Sequence, residues 1–240
     1  MIRLLAICLV WAGFANAEPL RIGTESDYRP YIFMDDAGQR IGFDADLVDQ
    51  ICVRGDFECT WVEIEFAQLF NGVAIGLYDI AIGGVGVSPE RDVLVDWTQP
   101  YRAHNNSAVR LAGLSDAIDV LTARIGVVGG TKHESVLIDA GYTPVPFENN
   151  QAIYSALIAG EIDVFAVSTD YLAGLVADGE DRLVDLGSID YFSAGAQIAV
   201  TKTKPELRDQ LNLIIDDLRS DGALRRLERK WFPTNSAQDL

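Results

Sequence analysis

Along the chain, short apolar runs alternate with stretches in which apolar residues recur every three or four positions. The runs predict strands at 21–24, 61–64, 79–87, 123–128, 162–167 and 198–201, with an extended segment at 144–147. The wider spacing predicts helices. Gly42 opens one that continues through Asp44, Leu47, Val48 and Ile51, and another covers 69–77. A third runs through Val136 and Ile138, and a fourth covers 151–159 with Asn150 as its cap. The C-terminus is helical over 206–231, with a break at Asp221-Gly222. Strands alternating with helices in this way predict an α/β fold with parallel sheets.

One segment adds chemistry to this pattern. The apolar run from Asp79 passes through Gly83, Gly84 and Gly86 and meets Ser88-Pro89-Glu90-Arg91. Ser88 reads as an N-cap, Pro89 as the first helical residue and Glu90 as a first-turn acid. Backbone N–H groups of a loop and helix start, with the Arg91 guanidinium, make a small-anion site that suits a carboxylate. The Gly-x4-Gly-Lys-Ser/Thr spacing of a phosphate loop is absent. The plainer reading is a surface Arg after an ordinary strand, turn and helix.

The ends and the composition set the compartment. Arg3 followed by the apolar run 4–14 and by Ala15-Asn16-Ala17 reads as a secretory signal over 1–17, cleaved after Ala17. Ile7 before Cys8 is too bulky for lipoprotein processing. No later run reaches 18 apolar residues, so a soluble periplasmic protein is expected. What remains is enough for two small domains or one large one. The formal charge of −17 makes nucleic acid and anionic membranes poor partners. Export makes a disulfide the default for Cys52 and Cys59, with Gly55-Asp56 as the turn between them. Only two His are present, neither near these thiols, which argues against zinc. Nothing in the chain signals a cofactor, a metal, a nucleic-acid site or an oligomer, so a monomer is expected.

The chain also echoes itself. Gly76-Leu77-Tyr78-Asp79-Ile80-Ala81-Ile82 resembles Gly160-Glu161-Ile162-Asp163-Val164-Phe165-Ala166, and Arg21-Ile22-Gly23-Thr24 resembles Arg124-Ile125-Gly126-Val127. The two offsets differ, which fits two lobes of similar design rather than a tandem repeat. Ligands of open α/β sheets sit at the carboxyl ends of strands, so facing lobes would make a cleft.

Several of these segments, in this order, resemble the bacterial periplasmic solute-binding proteins that feed polar amino acids to ABC transporters. They are Arg21-Ile22-Gly23-Thr24, Tyr28-Arg29-Pro30-Tyr31, Gly42-Phe43-Asp44-Ala45-Asp46-Leu47, Asp79 through Arg91, Gly130-Thr131, Gly160-Glu161-Ile162-Asp163-Val164, and Asp221-Gly222 leading to Lys230-Trp231-Phe232. The cysteine pair also looks like the short disulfide of the histidine- and lysine/arginine/ornithine-binding members. The resemblance implies the two-lobe type II periplasmic binding protein fold, with a hinge of two crossing strands and the ligand cleft between lobes. Lobe one would be 18–108 plus 195–240, lobe two 109–194, and ligand binding would close them. It implies that Arg91 pairs with the ligand carboxylate, Gly86 offers it an N–H and Thr131 donates to it from the second lobe. Tyr28 and Phe66 would sandwich the side chain, Glu25 would face a distal cation, and the Gly84 carbonyl would take the ammonium. Read without the family, Tyr28 and Phe66 are core or rim aromatics, Glu25 a solvated acid and His133 a surface residue. His104 near the crossover has no assigned role, and Trp231 packs the last helix down.

Three positions depart from the family pattern. Ser168 stands where many members carry an Asp for the α-amino group. Asp170 serves instead if the loop shifts, or is a first-turn acid behind a Ser168 N-cap. Gly86 replaces a frequent hydroxyl residue, and Lys132 adds a cation beside Thr131. These favour an anionic ligand, while Glu25 and the aromatics favour a cationic side chain. An opine of a basic amino acid would satisfy both. The leading expectation is a non-enzymatic binding protein that delivers its ligand to an ABC-transporter permease. The alternatives are an enzyme resembling cyclohexadienyl dehydratases, with Asp170 or Glu25 as proton donor, and a binding protein that docks onto a sensor.

Overall fold

A computed structural model of the chain describes residues 18–102, 107–191 and 193–232. The expected leader with its expected cleavage site, Cys8 and His104 lie outside the described residues. Two five-stranded sheets share one plan. The first runs Cys59–Glu63, Leu20–Thr24, Ile80–Ala81, Ala199–Val200, Asp96–Trp97, in that spatial order. The second runs Val145–Phe147, Ile125–Val128, Val164–Ser168, Ser107–Gly113, Val184–Tyr191. In each, three parallel strands are followed by one that runs against them, and the fifth strand pairs antiparallel with that one. The second sheet takes its first strand up at Ser107, just before the lobe limit read from sequence. The sheets are therefore mixed rather than parallel. A small antiparallel sheet of Asp27–Tyr28, Ile32–Met34 and Arg40–Ile41 sits beside the first.

Eight helices are described: α1 (Phe43–Gly55), α2 (Leu69–Ala74), α3 (Pro89–Asp92), α4 (Lys132–Asp139), α5 (Asn150–Ile158), α6 (Thr169–Ala177), α7 (Pro205–Ser220) and α8 (Ala223–Trp231). None is long and apolar enough to cross a membrane. In α7, Leu207, Leu211, Ile215 and Leu218 make one buried stripe, at the spacing that lays side chains along a single helix face. They pack with Ile22, Leu47, Ile51 and Ile80 into the core of the first lobe. Val109, Ile125, Leu137 and Val164 form part of the core of the second. A further apolar cluster joins the lobes: Phe66, Leu69, Val73 and Ala81 are continuous with Val128, Ile153, Phe165 and Tyr171.

The sequence echo has a physical counterpart. Arg21 donates from its backbone N–H and Nε to Asp79 Oδ2 and from Nη2 to Oδ1, at 3.0–3.1 Å. Arg124 grips Asp163 with the same three groups at 2.7–2.9 Å. In each lobe this bidentate clamp ties the start of one parallel strand to the entry of the next. The Cys52–Cys59 disulfide joins the last turn of α1 to the edge strand. Between them Asp56 adopts the left-handed conformation, which Asp tolerates better than most residues, and its N–H donates to Cys52 O.

Two helix boundaries differ from expectation. Helix α2 ends at Ala74, ahead of Gly76, whose φ of 74° turns the chain away. Helix α5 is capped by Asn149, whose side chain accepts from the Ala152 N–H at 2.8 Å. Asn150 is thereby its first residue. The strand expected over 79–87 is regular only at Ile80–Ala81, after which the chain leaves the sheet and becomes cleft wall.

Candidate functional site

The loops at the carboxyl ends of both sets of parallel strands converge on a cleft of about 550 Å³. The first lobe contributes Glu25, just past its first strand, and the 83–89 loop. The second contributes Val128 and the start of α4, with Asn150 at the start of α5.

Arg91 lies in the single turn of α3 and is only 9% exposed. Its Nη1 donates to Gly86 O at 3.0 Å and its Nη2 crosses to Gly130 O, in the second lobe, at 3.2 Å. The guanidinium stands 4.3 Å from the Phe70 ring centroid and 5.3 Å from that of Phe66. No carboxylate of the described residues forms an ion pair with it. Burial lowers its pKa to about 10, which leaves it charged at neutral pH.

Glu25 is the opposite pole. It is also 9% exposed, and burial raises its carboxyl to about 8, reinforced by the charges of Asp27, Glu65 and Glu63. It lines both the main cleft and a smaller neighbouring cavity of about 360 Å³.

Gly84 has φ 62°, and a Cβ on it would stand 2.8 Å from the Tyr28 ring, so the loop needs glycine there. Its N–H donates to the fully buried Asp44 at 2.7 Å. A Cβ on Gly86 would come within 2.9 Å of Gly195 O, which explains the missing hydroxyl side chain. Tyr28 lines the cleft as the middle of three near-parallel rings, 5.3 Å from Tyr31 and 6.1 Å from Tyr171. The Thr131 hydroxyl is committed to α4: it donates to Val128 O at 2.6 Å and accepts from the Glu134 N–H at 3.2 Å. Lys132 is exposed at the cleft's edge.

Asp170 does not line the cleft. Its Oδ2 accepts from Arg102 Nη1 at 2.9 Å and from the Tyr31 hydroxyl at 3.1 Å. Ser168 caps α6, accepting from the Tyr171 N–H at 3.2 Å, so Asp170 is the first-turn acid of that helix. His133 is a correction to the surface reading. It lines the cleft with Nε2 3.3 Å from the Tyr191 hydroxyl, and burial, followed by the charge of Arg91, lowers its pKa to about 4. Asn150, Tyr191 and Ser193 also line the cleft. Asn150 carried only a cap signal, and the other two carried none. Among the described residues no group of three or more His, Cys, Asp or Glu is placed to hold a metal ion.

The lobes meet across this cleft. The Gln151 N–H donates to Asp27 Oδ2 at 2.7 Å, Asn150 Nδ2 to Asp27 O at 3.3 Å, and Arg29 pairs with Asp178 at 3.0 Å.

Residues 20–234 match the family described as bacterial extracellular solute-binding proteins, family 3. The chain is 31% identical to the L-arginine-binding protein of Pseudomonas aeruginosa, over 91% of this chain and 90% of that protein. It is 29% identical to the ABC transporter arginine-binding protein 1 of Escherichia coli K12, over 92% and 93%. Among solved structures, a periplasmic His/Glu/Gln/Arg/opine family-binding protein from Silicibacter pomeroyi, in complex with lysine, superposes with a TM-score of 0.82 at 29% identity. That match covers 90% of this chain and 97% of the other.

Proposed function

Because this chain belongs to the bacterial extracellular solute-binding proteins, family 3, we propose that it captures a small carboxylate-bearing ligand outside the cytoplasm for import by an ABC transporter. Relatives named for arginine binding, and a structural neighbour holding lysine, support an amino acid or a close derivative. The observation that carries the reading is Arg91: a buried, charged guanidinium without a carboxylate partner among the described residues, facing a cleft between two lobes. A planar fork in that setting is built for a carboxylate.

In this reading the ligand carboxylate sits against Arg91, with the backbone N–H groups of Gly86 and Thr131 beside it, since the Thr131 hydroxyl already serves α4. Its side chain runs past Phe66 and Tyr28 to Glu25, where a cation stabilises the carboxylate form. The Gly84 carbonyl accepts from an N–H of the ligand. Lys132 at the edge is placed for a second carboxylate, as an opine would bring. The mature protein begins after Ala17, works in the periplasm as a monomer, and closes its lobes by hinge motion before docking on its permease. Cleavage can be read by N-terminal sequencing of the exported protein.

A panel of basic, acidic and conjugated amino acids, screened by thermal shift on refolded, ligand-stripped protein, tests this. Ligand at about 100-fold excess over Kd should add a few kcal/mol of stability. A selective shift that disappears in Arg91→Ala supports the reading, and no shift with any carboxylate overturns it. Of the two acids weighed for the enzyme reading, Asp170 and Glu25, Glu25 is the one that lines the cleft. Recovery of chemically unchanged ligand from the complex favours transport, and conversion of it favours catalysis.

A further inference from the structure

A free basic α-amino acid brings three charges into a cleft: a carboxylate, an α-ammonium and a distal cation. Each is costly to bury without a partner. Among the described residues four charged side chains line this cleft: Arg91, Glu25, Lys132 and Asp92. Lys132 and Asp92 are exposed, so Arg91 and Glu25 are the two buried poles. Glu63 and Glu65 are exposed and line the neighbouring cavity, and the other carboxylates that lie nearby are committed elsewhere. Asp27 Oδ2 accepts from the first turn of α5, and Asp170 is held by Arg102 and Tyr31 behind the cleft wall. Asp44 faces Gly84 and is completely buried. The strand that ends beside Val167 in the cleft wall finishes on Ser168, whose uncharged hydroxyl caps α6. One buried cation and one buried acid balance a carboxylate and one cationic group. They leave an α-ammonium without a counter-charge.

Resting on the carboxylate-to-Arg91 reading above, we propose that this site selects basic carboxylic acids whose α-nitrogen is absent or uncharged. The class comprises ω-guanidino and ω-amino carboxylates and Nα-acylated basic amino acids. The cleft volume, about 550 Å³, falls within the range of roughly 300–1,000 Å³ that holds drug-sized ligands, so an acyl group fits. Removing the ammonium avoids its desolvation and loses no ion pair.

Isothermal titration of the ligand-stripped protein compares arginine, 5-guanidinopentanoate (arginine without its α-amino group), Nα-acetylarginine and an arginine opine. The des-amino and acetylated compounds are expected to bind about tenfold tighter than arginine, or more. Arginine binding as tightly as both overturns the inference while leaving the carboxylate reading intact. So does tighter binding of the opine, whose amine stays charged. Binding of none of the four overturns both. Ser168→Asp supplies a carboxylate at the strand end while keeping a helix cap. It is expected to reverse the preference, raising arginine affinity relative to 5-guanidinopentanoate by about tenfold. An unchanged ratio in a folded, ligand-binding variant overturns the assignment of that end of the cleft to the α-nitrogen.

Discussion

Burying a guanidinium costs several kcal/mol unless it is paired, and Arg91 offsets part of that with two backbone carbonyls and two aromatic rings. Truncation removes the ligand's buried charge partner, so Arg91→Ala should weaken carboxylate binding by about 2–5 kcal/mol in a calorimetric titration. Arg91→Lys should recover only part of this, because an ammonium lacks the planar fork. Glu25 sets a pH dependence. Its folded value of about 8 stands above the ordinary 4.5, so between these the folded chain keeps a proton that the unfolded chain has lost. Its contribution to stability is therefore present at low pH and lost as pH rises through that window. A cation seated against it expels the proton, so affinity for a cationic ligand should rise from about pH 6 to about pH 8. Titration in buffers of different ionisation enthalpy should register proton release, and Glu25→Gln should flatten the profile. His133 works in the opposite sense. Lowered to about 4, it withdraws stability as pH falls below the ordinary 6.5. Arg91 was legible in a short local motif of strand, loop and helix start, whereas Glu25 stood out through the family resemblance and read otherwise as a solvated acid. Tyr191 and Ser193 were not legible, because they reach the cleft only through the crossing of distant segments.

At the scale of elements, the two Arg–Asp clamps share a geometry and differ in environment. The Asp79 side chain is 3% exposed and also accepts from Lys204, whereas Asp163 is 36% exposed. Burial pushes Asp79 upward, but bonds from Arg21 and Lys204 outweigh it and bring the carboxyl to about 2. Asp79→Asn should therefore cost roughly 3 kcal/mol in chemical denaturation, and Asp163→Asn at most about 1 kcal/mol. The disulfide closes a short loop, so the Cys52→Ala, Cys59→Ala double variant should lose about 2–3 kcal/mol with ligand binding retained. Helix α7 and the turn between the two cysteines were readable from sequence because near neighbours fix them, whereas the clamps, which join residues 58 and 39 positions apart, showed only as an echo of segments. The strands Ser107–Gly113 and Val184–Tyr191 escaped notice. The second alternates half-buried and exposed positions and carries an irregularity at Gly187, which blurs its period. Asn149 and Asn150 are chemically identical caps, and only the turn of the chain decides which one serves α5.

For the whole molecule, under the proposed hinge motion the contacts across the cleft would weight the balance between open and closed lobes. Asp27 holds the start of α5, and Arg29 pairs with the partly exposed Asp178. Together such contacts are worth about 1–2 kcal/mol. The Asp27→Ala, Arg29→Ala double variant should then bind ligand roughly five- to thirtyfold more weakly. Its ligand-free form should show a larger radius of gyration in small-angle scattering. The two-lobe plan was visible in the echo. The mixed direction of the sheets was not, because Ala199–Val200 pairs with strands laid down more than a hundred residues earlier. That late strand lies between Ile80–Ala81 and Asp96–Trp97, in the interior of the first sheet. A chain made available amino end first can finish the second sheet by residue 191, while the first still lacks a strand. The lobe that starts the chain is thus the last to be completed. Until its final strand arrives, two inner strand edges stay open to misplaced pairing, an interval in which an export chaperone would matter most.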